Sequence, residues 1–343
     1  DQLIASSRWS QRGWTFQEGL CAQRQLVFTD YEVYFQCFES NRWERDLTRR
    51  MYKPPSRFAP IRKLSNPLFP RLITEGGPQL ALDIVKAYSK RQLTNESDVL
   101  LAVSGILHNV RTIKQGSEHC WGLPVPISAL LNIHIAAMWP TWRPVCFGED
   151  RSPLSLWLGL GWTSSIFLEE RKRRPGFPSW SWCGWKGPIK GFPGLDQIPY
   201  NLDKDLLTNS SLKLEFELLD GSLITWNDFV RLDPLDRQAK LSRFIHITTL
   251  TTCVEITHLW DAPLDTDVVT TQDTAGLKIS IRHYDPTKLP TTGYVVYLPH
   301  GNLVVGLING VYERLEAFCD WSGERFPDHH DPDGAVLRTI RLG

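Results

Sequence analysis

The spacing of apolar positions changes along this chain, and the changes divide it. Between Ser10 and Leu20 they recur at helical intervals. Ser10 is placed to cap this helix, and Gly13 and Gly19 weaken it by up to about 1 kcal/mol each relative to alanine. Two strand-like runs follow, Gln25–Phe28 and Glu32–Cys37, and Thr29-Asp30-Tyr31 between them predicts a hairpin. Residues 41–78 are rich in Arg, Pro and Ser, with Pro54-Pro55, Pro60, Pro67, Pro70 and Gly76-Gly77-Pro78 breaking any long element, so a linker or extended arm is expected.

Helical spacing returns from Leu82 to Leu93 in Ile84, Val85 and Tyr88. A second helix is expected from about Asp98, capped by Asn95 or Ser97, with Val99, Val103, Ile106 and Val110 on one stripe. A third spans 127–139 and is closed by Pro140; segments of Gly, Trp and Pro then run to Gly194. Beyond Ser210 the pattern is that of strands: 212–218, 244–250, 253–259, 277–283, 294–298, 303–308, 311–318 and 336–342, punctuated by Gly, Pro, Asn and Asp. An antiparallel β-rich domain is expected there, and the fold class is α+β. No repeat of fixed period is present, which excludes solenoids and propellers.

Composition narrows the function classes. Lys plus Arg and Asp plus Glu are equal at 38 each, so no net field draws the molecule to nucleic acid or anionic lipid. The apolar run at 130–139 is interrupted by Asn132 and His134 and is far shorter than the roughly 20 residues of a membrane span. The start, Asp1-Gln2-Leu3-Ile4, has neither an initiator Met nor a signal pattern and reads as excised from a longer protein or from an incomplete gene model. The seven cysteines, Cys21, Cys37, Cys120, Cys146, Cys183, Cys253 and Cys319, are scattered without a C-x-x-C pair; reduced, mostly buried thiols in a cytoplasmic protein are expected.

Two local patterns are more specific. Arg12-Gly13-Trp14-Thr15-Phe16-Gln17-Glu18, followed by Arg24, Leu26, Phe28 and a strand ending Phe35-Gln36-Cys37, resembles the last block of the fungal heterokaryon-incompatibility (HET) domain. Phe177-Pro178-Ser179-Trp180-Ser181-Trp182-Cys183-Gly184-Trp185 is similar to the P-S-W-S-W-x-x-W block downstream in the same proteins. Tyr88, Arg91, Leu93-Thr94, Asp98, Leu100 and Ala102 through Gly105-Ile106 resemble the helical segment between these blocks, and Val311-Tyr312-Glu313-Arg314-Leu315 a frequent terminal strand. The family's opening strand and its I-W-I-D-x-x-C-I-N-Q-like segment do not occur here. The resemblance therefore implies residues 1–50 as the end of a TIR-like α/β HET domain, 51–79 as linker, 80–145 as a helical segment, and 146–343 as a Trp-rich then β-rich part.

The resemblance also implies a function: self/non-self recognition linked to programmed cell death, with the chain as an interaction and signalling platform for a protein partner. Nucleic acid, a membrane span, a metal and a bound cofactor are not expected. Under an enzymatic alternative the intact domain cleaves NAD as a substrate. Trp14-Thr15-Phe16-Gln17-Glu18 is similar to the W-C-x-x-E element of TIR proteins, which makes Glu18 the candidate catalytic carboxylate and Trp14 the candidate binding residue. A carboxylate beside the ribose stabilises an oxocarbenium-like state, and an indole four residues earlier on a helix shares its face. The plainer alternative pairs Glu18 with Arg12 or Arg24 and makes Trp14 an anchor to the core.

Three further clusters have structural readings beside functional ones. Trp180 and Trp182, alternating on a strand, would suit a stacking platform for a small molecule or glycan; with Trp121, Trp139, Trp142, Trp157 and Trp162 nearby, core packing is the expectation. Asp328-His329-His330-Asp331-Pro332-Asp333 is expected to be a solvated loop, because adjacent side chains point apart. Arg171-Lys172-Arg173-Arg174 is expected to be an exposed basic loop.

Overall fold

The computed structural model describes residues 7–37, 41–44, 79–112, 117–126, 146–147, 152–164, 172–192, 212–233, 236–259, 268–273, 276–281, 285, 287–298, 301–318 and 335–343. The fold is α+β: helices and small hairpins lie beside a nine-stranded mixed sheet, and their buried side chains join in one hydrophobic core.

The first helical stretch is two helices, α1 (Arg8–Gln11) and α2 (Gly13–Cys21). Arg12 between them is extended, at φ −80° and ψ 143°. The cause is a tertiary ladder: Gly13 N donates to Gln92 O at 2.8 Å and Gln92 N donates to Gln11 O at 2.7 Å. The expected cap at Ser10 is corrected to Ser7, whose Oγ accepts from Ser10 N at 3.2 Å. The expected hairpin forms from β1 (Arg24–Phe28) and β2 (Val33–Cys37), antiparallel, with Thr29 Oγ1 donating to Glu32 O at 2.8 Å across the turn. Asn41–Trp43, read as the start of the linker, instead adds β3 antiparallel to β2. The linker from residue 45 to 78 lies outside the described residues.

The helical pair is present as α3 (Gln79–Ser89) and α4 (Leu101–Thr112), with a 3-10 turn at Glu96–Asp98 capped by Asn95. Leu82, Val85 and Tyr88 of α3 and Val103, Ile106 and Leu107 of α4 are buried, as their spacing demands. Helix α2 lays Phe16 and Leu20 on this pair, and Gly105 of α4 admits Gln17, which would stand 3.0 Å from an added Cβ. The third predicted helix, 127–139, lies outside the described residues.

Three two-stranded antiparallel sheets follow: β4 (Ser117–Cys120) with β5 (Leu123–Pro126), β6 (Cys146–Phe147) with β7 (Ser152–Pro153), and β8 (Thr163–Ser164) with β9 (Ile189–Gly191). Helix α5 (Leu154–Leu160) lies between β7 and β8.

The sheet is organised by β12 (Leu241–His258), one strand of 18 residues where the sequence suggests two, with no turn residue between them to break it. Its first part pairs β10 (Lys213–Leu218) and, on its way, β18 (Val336–Leu342). Its second part pairs β14 (Gly276–Ile281) and β15 (Thr292–Tyr297). From β15 the order runs through β16 (Asn302–Ile308) and β17 (Val311–Phe318) to β18, which returns to β12, so the pairing path closes on itself. The expected antiparallel sheet is corrected to a mixed one, because β12 with β14 and β17 with β18 are parallel. β11 (Leu223–Ile224) and β13 (Val268–Asp273) extend it through β10 and β14. Helix α6 (Trp226–Arg231), started by a Thr225–Asp228 capping box, stacks Phe229 on Phe216 at 5.0 Å, and α7 (Arg237–Lys240) leads into β12.

Candidate functional site

Helix α2 places the two sequence-predicted site residues apart in environment. Glu18 is exposed, whereas Trp14 is half-buried against the core and donates its indole Nε1 to Asp98 Oδ2 at 3.3 Å. The indole thus anchors α2 to the turn before α4. Glu18 makes no ion pair or hydrogen bond through its carboxylate among the described residues, so the expected pairing with Arg12 or Arg24 is corrected.

The buried side of the same helix begins a chain of ring contacts between the sequence blocks. Phe16 lies 6.0 Å from the ring of Tyr88 on α3, and Tyr88 lies 5.8 Å from Trp182 at an interplanar angle of 77°. Arg91 stacks over the outer face of this chain, 4.5 Å from the Phe16 ring centre, and burial lowers its pKa to about 10. The Tyr88 hydroxyl donates to Val99 O at 2.8 Å, and burial, the first cause, pushes its pKa up.

The tryptophan block is not a strand with an exposed aromatic face. Trp182–Gly184 is a 3-10 turn capped by Ser181, and Trp180, Trp182 and Trp185 are buried. Each indole N–H ends on a carbonyl: Trp180 on Arg243 O at 3.0 Å, Trp182 on Gly122 O at 2.8 Å, and Trp185 on Ser179 O at 2.8 Å. Core packing is the outcome, and a stacking platform on these rings has no accessible face. Trp139 and Trp142 lie outside the described residues.

The expected exposed basic loop is corrected at two of its positions. Arg173 donates to Glu313 Oε2 at 2.9 Å, Gly184 O at 2.6 Å and Phe177 O at 3.1 Å. Arg174 is buried; it donates to Glu96 Oε2 at 2.6 Å and to the carbonyls of Cys183 and Trp185. Glu96 also receives Lys186 at 3.0 Å. Burial of Glu96 opposes ionisation, and the hydrogen bonds from Arg174 and Lys186 overcome it and lower its pKa. A guanidinium can leave water here because carbonyls and a carboxylate occupy its fork.

Strand β17 closes the junction. Arg314 is fully buried, with its guanidinium 3.9 Å from the Trp162 ring centre and donating to Leu160 O at 2.7 Å and to Trp162 O. Its backbone N–H donates to Ser179 Oγ at 2.8 Å, and Ser179 N donates to Gly343 O at 2.9 Å. The sequence reading passed over Glu96, Arg174, Glu313 and Arg314 as functional positions; alternation in Val311–Leu315 was the available signal, since it puts Glu313 and Arg314 on opposite faces of one strand.

The described hydroxyls and thiol of the junction are committed to backbone or buried. Ser179 and Ser181 are buried and bonded to backbone, and burial pushes the Cys183 thiol up to about 12, far from a nucleophilic thiolate. Among the thiols whose side chains are described, Cys120 and Cys183 are buried, Cys37 is half-buried, and Cys21 and Cys253 are exposed. Among the described residues no group of three His, Cys, Asp or Glu side chains is arranged for a metal, and residues 328–333 lie outside them. No described helix is long and apolar enough to cross a membrane. Comparison with protein-family models, with curated proteins and with solved structures finds no match to this chain.

Proposed function

We propose that the chain serves as an interaction and signalling platform of a fungal heterokaryon-incompatibility protein, acting with a protein partner in self/non-self recognition that leads to cell death. One observation carries the reading. The four stretches that resemble the family, at 12–18, 88–106, 177–185 and 311–315, touch one another through Phe16, Tyr88, Trp182, Ser179 and Arg314. Residues that recur as separate blocks in a family are expected to converge when they build one shared structure, and these do so without forming a catalytic group.

Two strains of a filamentous fungus, identical except that one expresses this chain within its parent protein, provide the test. Fused cells taking up a vital dye at a higher rate than self-fusions of either strain is the expected result. Equal viability of all fusions would remove the reading.

NAD cleavage through Glu18 draws on the resemblance alone, because the carboxylate is exposed and Trp14 is committed to Asp98. Nicotinamide release by the full protein that stops in Glu18→Gln, with unfolding unchanged, would restore it.

A further inference from the structure

The closed strand path brings four polar or aromatic side chains to one face of the sheet, away from the junction described above. Cys253 of β12 is directly opposite Tyr294 of β15, and Tyr294 is opposite Val305 of β16. Leu307, two residues beyond Val305, is opposite Tyr312 of β17. On the other side of β12, Thr249 is opposite Arg338 of β18. Directly paired residues and residues two apart share a face, so Cys253, Tyr294, Tyr312 and Arg338 all project from the same side.

Their contacts follow from this. The Tyr294 and Tyr312 rings meet edge to face at 5.8 Å and 61°. The Arg338 guanidinium lies 5.2 Å from the Tyr294 ring centre. Both tyrosines are half-buried, and Cys253 and Arg338 are exposed at the same edge. Burial, with Tyr294 beside it, raises the pKa of Tyr312, which keeps its hydroxyl a donor.

Arg338 differs from most arginines packed on this part of the fold; Arg243, over the Phe244 ring at 5.1 Å, shares its lack of a bonded partner among the described residues but has no tyrosine hydroxyl pair beside it. Arg173, Arg174, Arg237, Arg314 and Arg341 each donate to a carbonyl or a carboxylate. The Arg338 fork makes no hydrogen bond or ion pair among the described residues, and the Tyr294 ring lies beneath it. Glu255, two positions along the same face of β12, is taken by Lys278 at 3.3 Å. What remains, among the described residues, is a cation with no bonded partner beside two tyrosine rings. A planar guanidinium held against an aromatic face is suited to two-point recognition of an oxyanion, and a phenol donor supplies a third point.

We propose that Arg338, Tyr312 and Tyr294 form a binding site for an oxyanion, a phosphate or carboxylate group carried by a small molecule. Arg338 holds the charge, and the tyrosine hydroxyls orient it. The oxyanion chemistry does not depend on the incompatibility reading, although Tyr312 lies in the 311–315 stretch that the reading uses.

Isothermal titration calorimetry on the full chain tests it, with inorganic phosphate and acetate as separate titrants. Saturable binding of one titrant or both is expected, and the tighter of the two identifies the group. Arg338→Gln is expected to weaken it at least about tenfold and Tyr312→Phe by a smaller factor, since loss of a charged donor outweighs loss of a neutral one. Arg243→Gln, which removes a guanidinium stacked on Phe244 at 5.1 Å, is expected to bind as the parent does. Thermal unfolding of each variant verifies its fold, and Tyr312→Phe keeps the ring packing in place. No saturable binding by the parent chain, unchanged affinity in Arg338→Gln, or an equal loss in Arg243→Gln would each overturn the proposal.

Discussion

The ring of Tyr88 meets Trp182 at a centroid distance of 5.8 Å and an angle of 77°, joining helix α3 to the tryptophan block, 94 positions later in the chain. Edge-to-face packing of this kind contributes about 0.5–1.5 kcal/mol beyond the area it buries. Tyr88→Phe keeps the ring and leaves the buried Val99 carbonyl without its donor, so a loss of about 1 kcal/mol is expected. Tyr88→Ala is expected to cost about 3–5 kcal/mol by cavity formation. Urea unfolding of both variants separates the two contributions, and nearly equal losses would show that the ring does not join these elements.

The Arg174–Glu96 pair is asymmetric, with the side chains 9% and 38% exposed, and so are the expected effects of breaking it. Arg174→Gln strips donors from the buried carbonyls of Cys183 and Trp185 as well as from Glu96, and a loss of about 3 kcal/mol is expected. Glu96→Gln retains an acceptor that water also reaches, and about 1 kcal/mol is expected. Denaturant midpoints measured for both variants check the order, which is the substance of the prediction.

Gly122 and Gly176 both have positive φ, at 78° and 89°, but different surroundings. A Cβ at Gly122 would stand 2.7 Å from Cys183 Sγ and 3.3 Å from Trp182, whereas at Gly176 nothing lies within 4 Å. Gly176→Ala is expected to cost about 1 kcal/mol from backbone conformation alone, and Gly122→Ala at least about 2 kcal/mol more. Calorimetric melting of the two variants tests this; equal losses would mean that the hairpin turn is not pressed against the tryptophan block.

Glu217 on β10 accepts both Arg341 Nε at 2.6 Å and Arg341 Nη2 at 2.7 Å, and His246 Nε2 lies 2.9 Å away. The Arg341 hydrogen bonds, opposed by burial and aided by His246, lower its pKa from 4.5 to about 2. A carboxylate whose folded pKa is depressed stabilises the fold fully above its unfolded pKa, and loses that contribution as pH falls through the folded value. The stability difference between the parent chain and Glu217→Gln is therefore expected to be constant above about pH 5 and to shrink between about pH 4.5 and pH 2. A difference that does not vary with pH across that interval would refute the assigned pairing.

Elements governed by local spacing were legible in the amino-acid sequence. Apolar positions at helical intervals determined α3 and α4, and alternation around Thr29-Asp30-Tyr31 determined the β1–β2 hairpin, because each needs only neighbours within a few residues. The strand runs that became β15, β16 and β17 were equally local, with Gly and Asn marking each turn. Tertiary structure decided the rest. Arg12 is extended because Gln92 pairs beside it, β12 runs on as one strand because different partners cover its two parts, and Arg174 is buried because Glu96 and two distant carbonyls meet it. Charge and aromatic content do not announce such outcomes: a guanidinium or an indole enters the core only where donors and acceptors from remote segments converge, and that convergence exists only after the chain has folded.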